Sequence, residues 1–413
     1  MKTATEYLES GNNRKALPLL QKAAKADPNY ANIVNLAAAQ RALGMIHEAK
    51  DQLLAAVALE PLGPEGWSNL GQCFTDLGQF GDAAALFQRS LECHEKRGLH
   101  PSAVKETLLG FSHALMRQGG FEFVWPCWEM ARIGVSWQPF PNIPVWQGEQ
   151  CRSLLILPEG GMGDGFNFLR WIRDVADRCP DITVVIWPPL YEFTKYLCAK
   201  MPFPVRVLPM SHEFQGSDLH KYSFQTALMS LPACCGMKKW EDIPPTLYWT
   251  PRDHIISEPM DMIGFCWRAE ENGVARKTRT LDVSAANVIG GRLFMAGSRV
   301  VALCPKSKHL HREAEEFIIP KRVEYVDHLL TDWETTARTI LKCRKVVTVD
   351  TAVAHLAGSL GTPTLLLLPM RSDWKWGMDG SARSWYGSNV LTYRNDHPLY
   401  WNVDGILQAL SRL

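Results

Sequence analysis

Net charge is nearly absent from this 413-residue chain, at +1. That removes a general electrostatic case for nucleic acid or an anionic membrane as partner, although a local basic patch can still form. Long apolar runs are missing as well. The longest of note, TPTLLLLP at 362–369, is far too short to span a bilayer. The opening stretch MKTATEYLESGNNRKALPLL lacks the apolar core of a signal peptide, so a cytoplasmic location is expected. The 11 cysteines are odd in number and never fall as C-x-x-C, which leaves reduced, mostly buried thiols as the expectation.

A complete dinucleotide fingerprint is lacking too. The stretch LLILPEGGMGDGFNFLRW at 154–171 reads as strand, glycine-rich turn and helix. Counted from Gly161, G-x-G-x-x-G requires glycine at 166, where Phe166 stands. A nicotinamide or flavin oxidoreductase is therefore disfavoured. What remains is a loop carrying Gly161, Gly163 and Gly165, which lets the backbone turn sharply and an acceptor come close. Its one acid, Asp164, can take a proton from an attacking hydroxyl. It can equally cap the helix that follows.

What the sequence does have begins with a repeat. Asn35-Leu36 recurs at Asn69-Leu70, Leu43-Gly44 at Leu77-Gly78, and Ala49 at Ala83, each 34 residues on. An earlier partial copy offers Leu8, Gly11, Ala16 and Pro28. Trp67, Leu70, Gly71 and Phe74 follow W-x2-L-G-x2-Y with Phe for Tyr, and the period and pattern together resemble the tetratricopeptide repeat. Gly44 and Gly78 suit the turn inside each helix pair. About three repeats are expected, the last degenerate, followed by a further helical pair out of register. Phe121, Phe123, Trp125 and Trp128 would cap the stack. Such arrays supply a surface for a protein partner or for self-association.

From 152 the pattern changes. Strand-like runs alternate with helical stretches in two series, before and after about 255. That implies parallel sheets covered on both faces. VSWQPFPNIPVWQGEQ at 135–150 reads as a linker laid over a surface. Ligands of open α/β sheets bind at the carboxyl ends of strands, so the residues after each strand carry the chemistry.

Two such places stand out besides the glycine loop. In KVVTVDTAVAHLAGSLGTPTLLLLP at 345–369, a strand ends at Asp350-Thr351 and a helix starts at once. Thr351 and Ala352 leave its first N–H groups open, which suits a phosphate or diphosphate. His355 lies one turn on, on the same face. Alternatively Asp350 only caps the helix and His355 is a packing histidine. In GFCWRAEENGVARKTRTL at 264–281, a strand runs into Arg268, Arg276, Lys277 and Arg279. These cations can neutralise a leaving diphosphate without a metal, or be ordinary charges of an exposed loop. His309 and His311 have no supporting acid or cysteine, and no metal site is expected.

Together these stretches resemble a known family. PFPNIPVWQGE with SLLILPEGGMGDGFNFLRWI resembles the start of the glycosyltransferase module of bacterial tetratricopeptide proteins. Those modules are similar to glycosyltransferase family 9, the ADP-heptose:lipopolysaccharide heptosyltransferases. VVTVDTAVAHLAGSLGTPTLLLLP resembles the donor motif D-T-x-x-x-H-L-A-x-x-L-G-x-P, and SDWKWGMDGSARSWYGS resembles a late D-W-R-W…S-x-W-Y segment. The resemblance implies a GT-B fold of two Rossmann-like domains behind the helical repeats, with boundaries 1–134, 135–255 (acceptor side) and 256–413 (donor side). It implies an inverting, metal-independent transfer from a nucleoside-diphosphate sugar, with no cofactor. Asp164 becomes the general base. Thr351, Ala352 and His355 become diphosphate contacts, with Asp350 beside them, and Arg268, Lys277 and Arg279 the neutralising cations. The sequence departs from the family where E-Q-G-x-G-D reads Glu159-Gly160-Gly161-Met162-Gly163-Asp164. The 268–279 loop also lacks the usual asparagine and aspartate. The acceptor stays open between a glycan, a lipid-linked sugar, a protein and a modified nucleobase. The alternative is a tetratricopeptide scaffold whose transferase module is inactive.

Overall fold

The structure, a computed structural model, describes residues 3–98, 104–132, 139–210, 219–247, 249, 251, 260–269, 279–295, 298–304, 323–378, 385–397 and 400–412. The chain forms two compact units, Met1–Trp137 with Asp373–Met378, and Gln138–Ser372 with Asp379–Leu413.

The first unit is helical. Its described helices pair in sequence: α1 (Ala4–Glu9) with α2 (Asn13–Ala26), α3 (Tyr30–Ala42) with α4 (Ile46–Leu59), α5 (Pro64–Asp76) with α6 (Phe80–Lys96), and α7 (Lys105–Arg117) with α8 (Trp125–Arg132). Gly44 and Gly78 turn the chain between partners with φ of 84° and 73°, a left-handed conformation costly for other residues. Gly11 and Gly119 do the same in the first and last pairs, so the pair that broke the sequence period keeps the repeat's turn. Val34, Ala37, Ala49, Leu53, Leu70 and Cys73 form one buried cluster across α3–α5. A Cβ on Gly71 would come 3.0 Å from the Phe87 ring, so the repeat's small residue is what lets α5 and α6 close.

The last helix pair receives a segment from far along the chain. Trp374 is 1% exposed, and its ring centroid lies 5.8, 6.2 and 5.9 Å from those of Phe121, Trp125 and Trp128. Phe123, expected in this cap, is 81% exposed and takes no part in it. Its neighbours Phe121 and Val124 fill the interior instead. Asp373 accepts from the Lys375 backbone N–H at 3.0 Å and pairs with its Nζ at 3.2 Å. Burial alone would push the Asp373 carboxyl up. Lys375, His113 and Arg117 outweigh it and hold the group well below the usual carboxylate range.

The second unit holds two parallel sheets, as alternating strands and helices predict. The first has order β3-β2-β1-β4, from β1 (Ser153–Leu157), β2 (Asp181–Ile186), β3 (Val205–Pro209) and β4 (Phe224–Ala227). The second has order β10-β9-β8-β5-β6-β7, from β5 (Met260–Cys266), β6 (Arg299–Ala302), β7 (Val323–Tyr325), β8 (Cys343–Val349), β9 (Thr364–Leu368) and β10 (Val390–Arg394). The chain is α/β in this half and helical in the other. The helices here are α9 (Met162–Phe168), α10 (Ile172–Ala176), α11 (Tyr191–Ala199), α12 (Leu231–Cys234), α13 (Val283–Met295), α14 (Trp333–Leu341), α15 (Ala352–Leu360) and α16 (Val403–Leu410). Every residue of β1 and β9 is buried, which their unbroken apolar runs require of strands covered on both faces.

The described part of the proline-rich stretch, 139–150, turns side chains inward rather than lying wholly over a surface. Ile143 and Trp146 are 3% and 1% exposed. Gln225 of β4 holds the stretch in place. Its backbone N–H donates to Pro144 O at 2.9 Å and its carbonyl accepts from Trp146 N–H at 2.8 Å. Its Nε2 donates to Phe140 O and Ile143 O at 2.8 and 2.6 Å. The proline-rich run therefore extends the sheet edge and buries its aromatic residue there. Among the described residues no helix is long and apolar enough to cross a membrane. All 11 cysteines are free thiols.

Candidate functional site

The site is built where β1 and β8 end. After Leu157 the chain turns through Gly160, at φ 71°, and enters α9 with Gly161 as N-cap. Asp164 is the third residue of that helix. Its Oδ2 accepts from the Gly161 N–H at 2.8 Å, which satisfies one of the donors that every helix start leaves over. The acid thus folds back on its own helix, and it stays half-buried rather than enclosed.

That helix nonetheless packs on α15. A Cβ on Gly163 would lie 2.6 Å from His355 Cδ2, 3.2 Å from its Nε2 and 3.6 Å from Ala352 Cα. The structure therefore brings the glycine loop and the 350–355 motif together, with room for hydrogen only at the point of contact. Gly165 is buried against Leu190, whereas Gly161 is exposed.

At the end of β8, Thr351 is the N-cap of α15. Its Oγ1 accepts from Val353 N–H at 3.2 Å and its carbonyl from Ala354 N–H at 3.0 Å. Two of the first-turn N–H groups expected to stand open are thus engaged within the helix, one by the inward-turned Thr351 hydroxyl and one by the Thr351 carbonyl. Asp350 is not the cap. It is 3% exposed, and its Oδ2 lies 3.5 Å from Arg279 Nη1. Arg394, at the end of β10, feels the same carboxylate. Burial draws its guanidinium down to about 10, with Asp350 opposing that shift. The buried carboxylate thus pairs with the Arg279 guanidinium, and its charge reaches that of Arg394.

Arg268 is 6% exposed and packs into the unit directly after β5. Arg276, Lys277, His309 and His311 lie outside the described residues. Among the described residues no three His, Cys, Asp or Glu side chains gather as a metal cage.

His355 is 3% exposed, and its Nδ1 lies 3.0 Å from the Tyr386 hydroxyl. That hydroxyl donates to Asn167 Oδ1 at 3.4 Å. The Tyr386 ring fits only because residue 358 is glycine, since a Cβ there would enter it. Below this trio lies Arg170, 2% exposed. Its Nε donates to Asn167 O at 2.9 Å, and its Nη1 to Trp385 O at 2.6 Å and Pro244 O at 3.3 Å. Its guanidinium also sits 5.3 and 5.1 Å from the Trp385 and Tyr386 ring centroids, a cation–π arrangement. Arg170, Asn167 and Tyr386 escaped the sequence reading as site residues. A charge inside the apolar segment FNFLRWI was the available signal, since an arginine on such a face must be paired or solvated.

Known proteins can be set beside this geometry. The sequence profile of the tetratricopeptide repeat matches residues 34–98. Those residues are tetratricopeptide repeats. No curated protein matches the sequence. Among solved structures, the chain is similar to the ADP-heptose LPS heptosyltransferase II of E. coli, at 15% identity and a TM-score of 0.45, covering 63% of this chain and 98% of that one. It is similar also to a glycosyl transferase of family 9 from Veillonella parvula, at 9% identity and a TM-score of 0.40, over 61% and 88%. A Thermobaculum terrenum O-GlcNAc transferase mutant is similar over 98% of this chain, tetratricopeptide repeats included, and 88% of that one, at 14% identity and a TM-score of 0.37.

Proposed function

We propose that the α/β unit is an inverting glycosyltransferase that uses a nucleoside-diphosphate sugar and needs no metal or other cofactor. One observation carries the reading: Gly163 touches His355 and Ala352, so a loop bearing an acid meets a helix start whose dipole favours an anion, each at the carboxyl end of its strand. In the reaction, Asp164 takes the proton of an acceptor hydroxyl, and the oxygen attacks the anomeric carbon. The bond to the diphosphate breaks on the opposite face. Negative charge then grows on the leaving group, which the start of α15 and the Arg279 guanidinium would offset, with Lys277 of the same sequence stretch proposed as a further cation. Asp350 supports this by holding Arg279 in place. A carboxylate has lone pairs beyond the one that accepts from Gly161, so capping and proton transfer are compatible in Asp164.

The tetratricopeptide repeats are proposed to receive a protein acceptor, another partner or a second copy of the chain, in the cytoplasm. The decisive experiment is a nucleotide-sugar panel read by thermal shift, followed by mass spectrometry of cell fractions incubated with the stabilising sugar. A sugar-sized mass gain on one acceptor supports the reading. Binding to the repeats with neither transfer nor donor hydrolysis would establish an inactive scaffold instead.

A further inference from the structure

We propose that Trp333 is a positioning residue that fixes the place of α9, and with it Asp164, relative to the second sheet. That Asp164 then acts as a base rests on the glycosyltransferase reading; its placement does not.

The helix α9 is seven residues long and follows a glycine turn, so the chain ahead restrains it little. It meets α15 through Gly163, which has no side chain to interlock. A smooth contact of that kind sets how near the helices lie but not where one stands along the other. Phe166 supplies the second restraint. It comes two residues after Asp164 and is 3% exposed. Its ring meets that of Phe193 on one side, with centroids 4.6 Å apart and planes at 76°. On the other it meets Trp333, at 5.2 Å and 87°. Both contacts are edge-to-face, an arrangement that depends on direction as well as distance.

The two flanking rings belong to different sheets. Phe193 stands on α11, between β2 and β3 of the first sheet, and Trp333 opens α14, between β7 and β8 of the second. Each is fixed in turn. Trp333 follows the N-cap Asp332, whose Oδ1 accepts from the Thr335 N–H at 2.7 Å. Phe193 lies 5.1 Å from the ring of Trp249, whose backbone N–H donates to Ser359 O of α15 at 2.9 Å. Phe166 is therefore wedged between one ring of its own sheet and one of the other. Without the indole, the wedge is held from the first sheet's side alone, and α9 can shift along α15. A shift of about 1 Å at a reacting group costs about 10²-fold in rate. Trp333 is half-buried, so shortening it does not empty a closed core.

The test has two arms, both on the full chain. In single-turnover transfer with the donor found by the sugar panel, Trp333→Ala should be about 10- to 100-fold slower, with ADP or UDP affinity within about 2-fold of the unmodified protein. Trp333→Phe keeps an aromatic ring in the place and should recover most of the rate. An unchanged rate in Trp333→Ala overturns the proposal, as does a phenylalanine variant no faster than alanine. A loss of nucleotide affinity as large as the loss of rate also overturns it, because Trp333 would then shape the donor site rather than place the acid. The second arm needs no substrate. Fluorine NMR is recorded on the chain labelled with 5-fluorotryptophan, and Trp333→Phe identifies one signal among the 15 tryptophans. Phe166→Leu removes the ring that Trp333 faces, so that signal should move. A signal that stays in place overturns the proposal even if Trp333→Ala does not fold. An unmodified protein that transfers no sugar, with the signal moving as expected, would sink the glycosyltransferase reading and leave the placement standing.

Discussion

Replacing Asp164 by asparagine separates the two jobs assigned to that side chain. As a cap it accepts one hydrogen bond from the Gly161 N–H at 2.8 Å. Asparagine offers an oxygen at the same place, so only the charge–dipole part is lost, about 0.3–1 kcal/mol for an acid in the first turn. For a unit of this size that lowers the midpoint of thermal unfolding by roughly 1–4 °C. As a base the loss is far larger. Removing general base catalysis costs about 10²–10⁴-fold in rate, which is roughly 2.7–5.5 kcal/mol on the barrier at about 1.4 kcal/mol per tenfold. The two effects differ too much in size to be confused. Alanine in the same place also removes the hydrogen bond, worth about 0.5–1.5 kcal/mol more in stability. The assay is single-turnover transfer from the sugar identified by the panel, beside a melting curve and a donor-binding isotherm for each variant. Base catalysis requires both variants to be slow to a similar degree, with asparagine close to wild type in stability and donor affinity. Asparagine turning over within a few-fold of wild type would refute the assignment and leave Asp164 as a cap.

Four further outcomes are expected. Gly163→Ala forces a methyl against His355 and Ala352 and should destabilise by about 1–3 kcal/mol with lower activity, whereas Gly161→Ala, whose Cβ among the described residues meets only Asp164 Oδ2 at 3.8 Å, should be tolerated in the same melting and transfer assays. Arg279→Ala should weaken ADP or UDP binding by roughly 10- to 100-fold in calorimetry, the worth of a hydrogen bond to a charged group, and an unchanged isotherm would place the diphosphate elsewhere. Trp374→Ala empties the space between Phe121, Trp125 and Trp128 and should cost about 3–5 kcal/mol in chemical denaturation of the helical unit. Asp373 has a folded pKa below its unfolded value, so its stabilisation is full at neutral pH and is lost as pH falls below about 4 toward the depressed folded value. Denaturation midpoints measured against pH should lose that dependence in Asp373→Asn.

Much of the fold is legible because periodicity reports burial. The 34-residue step and the glycine turns mark the helix pairs, and unbroken runs such as SLLIL and TLLLL mark strands covered on both faces. Two strands left no such mark. FQTA of β4 is four residues long with a glutamine inside, and that glutamine is buried only because it holds the 140–146 backbone. VLTYR of β10 is an edge strand whose residues beyond Val390 are half-buried, so they need no apolar run. In the site, the loop and the helix start are visible as glycines and as a strand end running into small residues. Which first-turn donors are already used is invisible, because it depends on the rotamer of Thr351. The trio of Asn167, Tyr386 and His355 is invisible for another reason. Its members come from separate elements, and only their convergence gives them a meaning.

The seat of Trp374 has a consequence for biosynthesis. The helices that surround it are complete by residue 132, yet the indole that fills their centre follows only after both sheets have been largely synthesised. At roughly 5–20 residues per second, that interval is about 10–50 s. Through it, the last helix pair waits on the ribosome with Phe121, Trp125 and Trp128 uncovered, a window in which a chaperone or a neighbouring nascent chain can reach them. The final repeat is thus closed by the chain's own later residues, so maturation of the helical array depends on translation having passed β9.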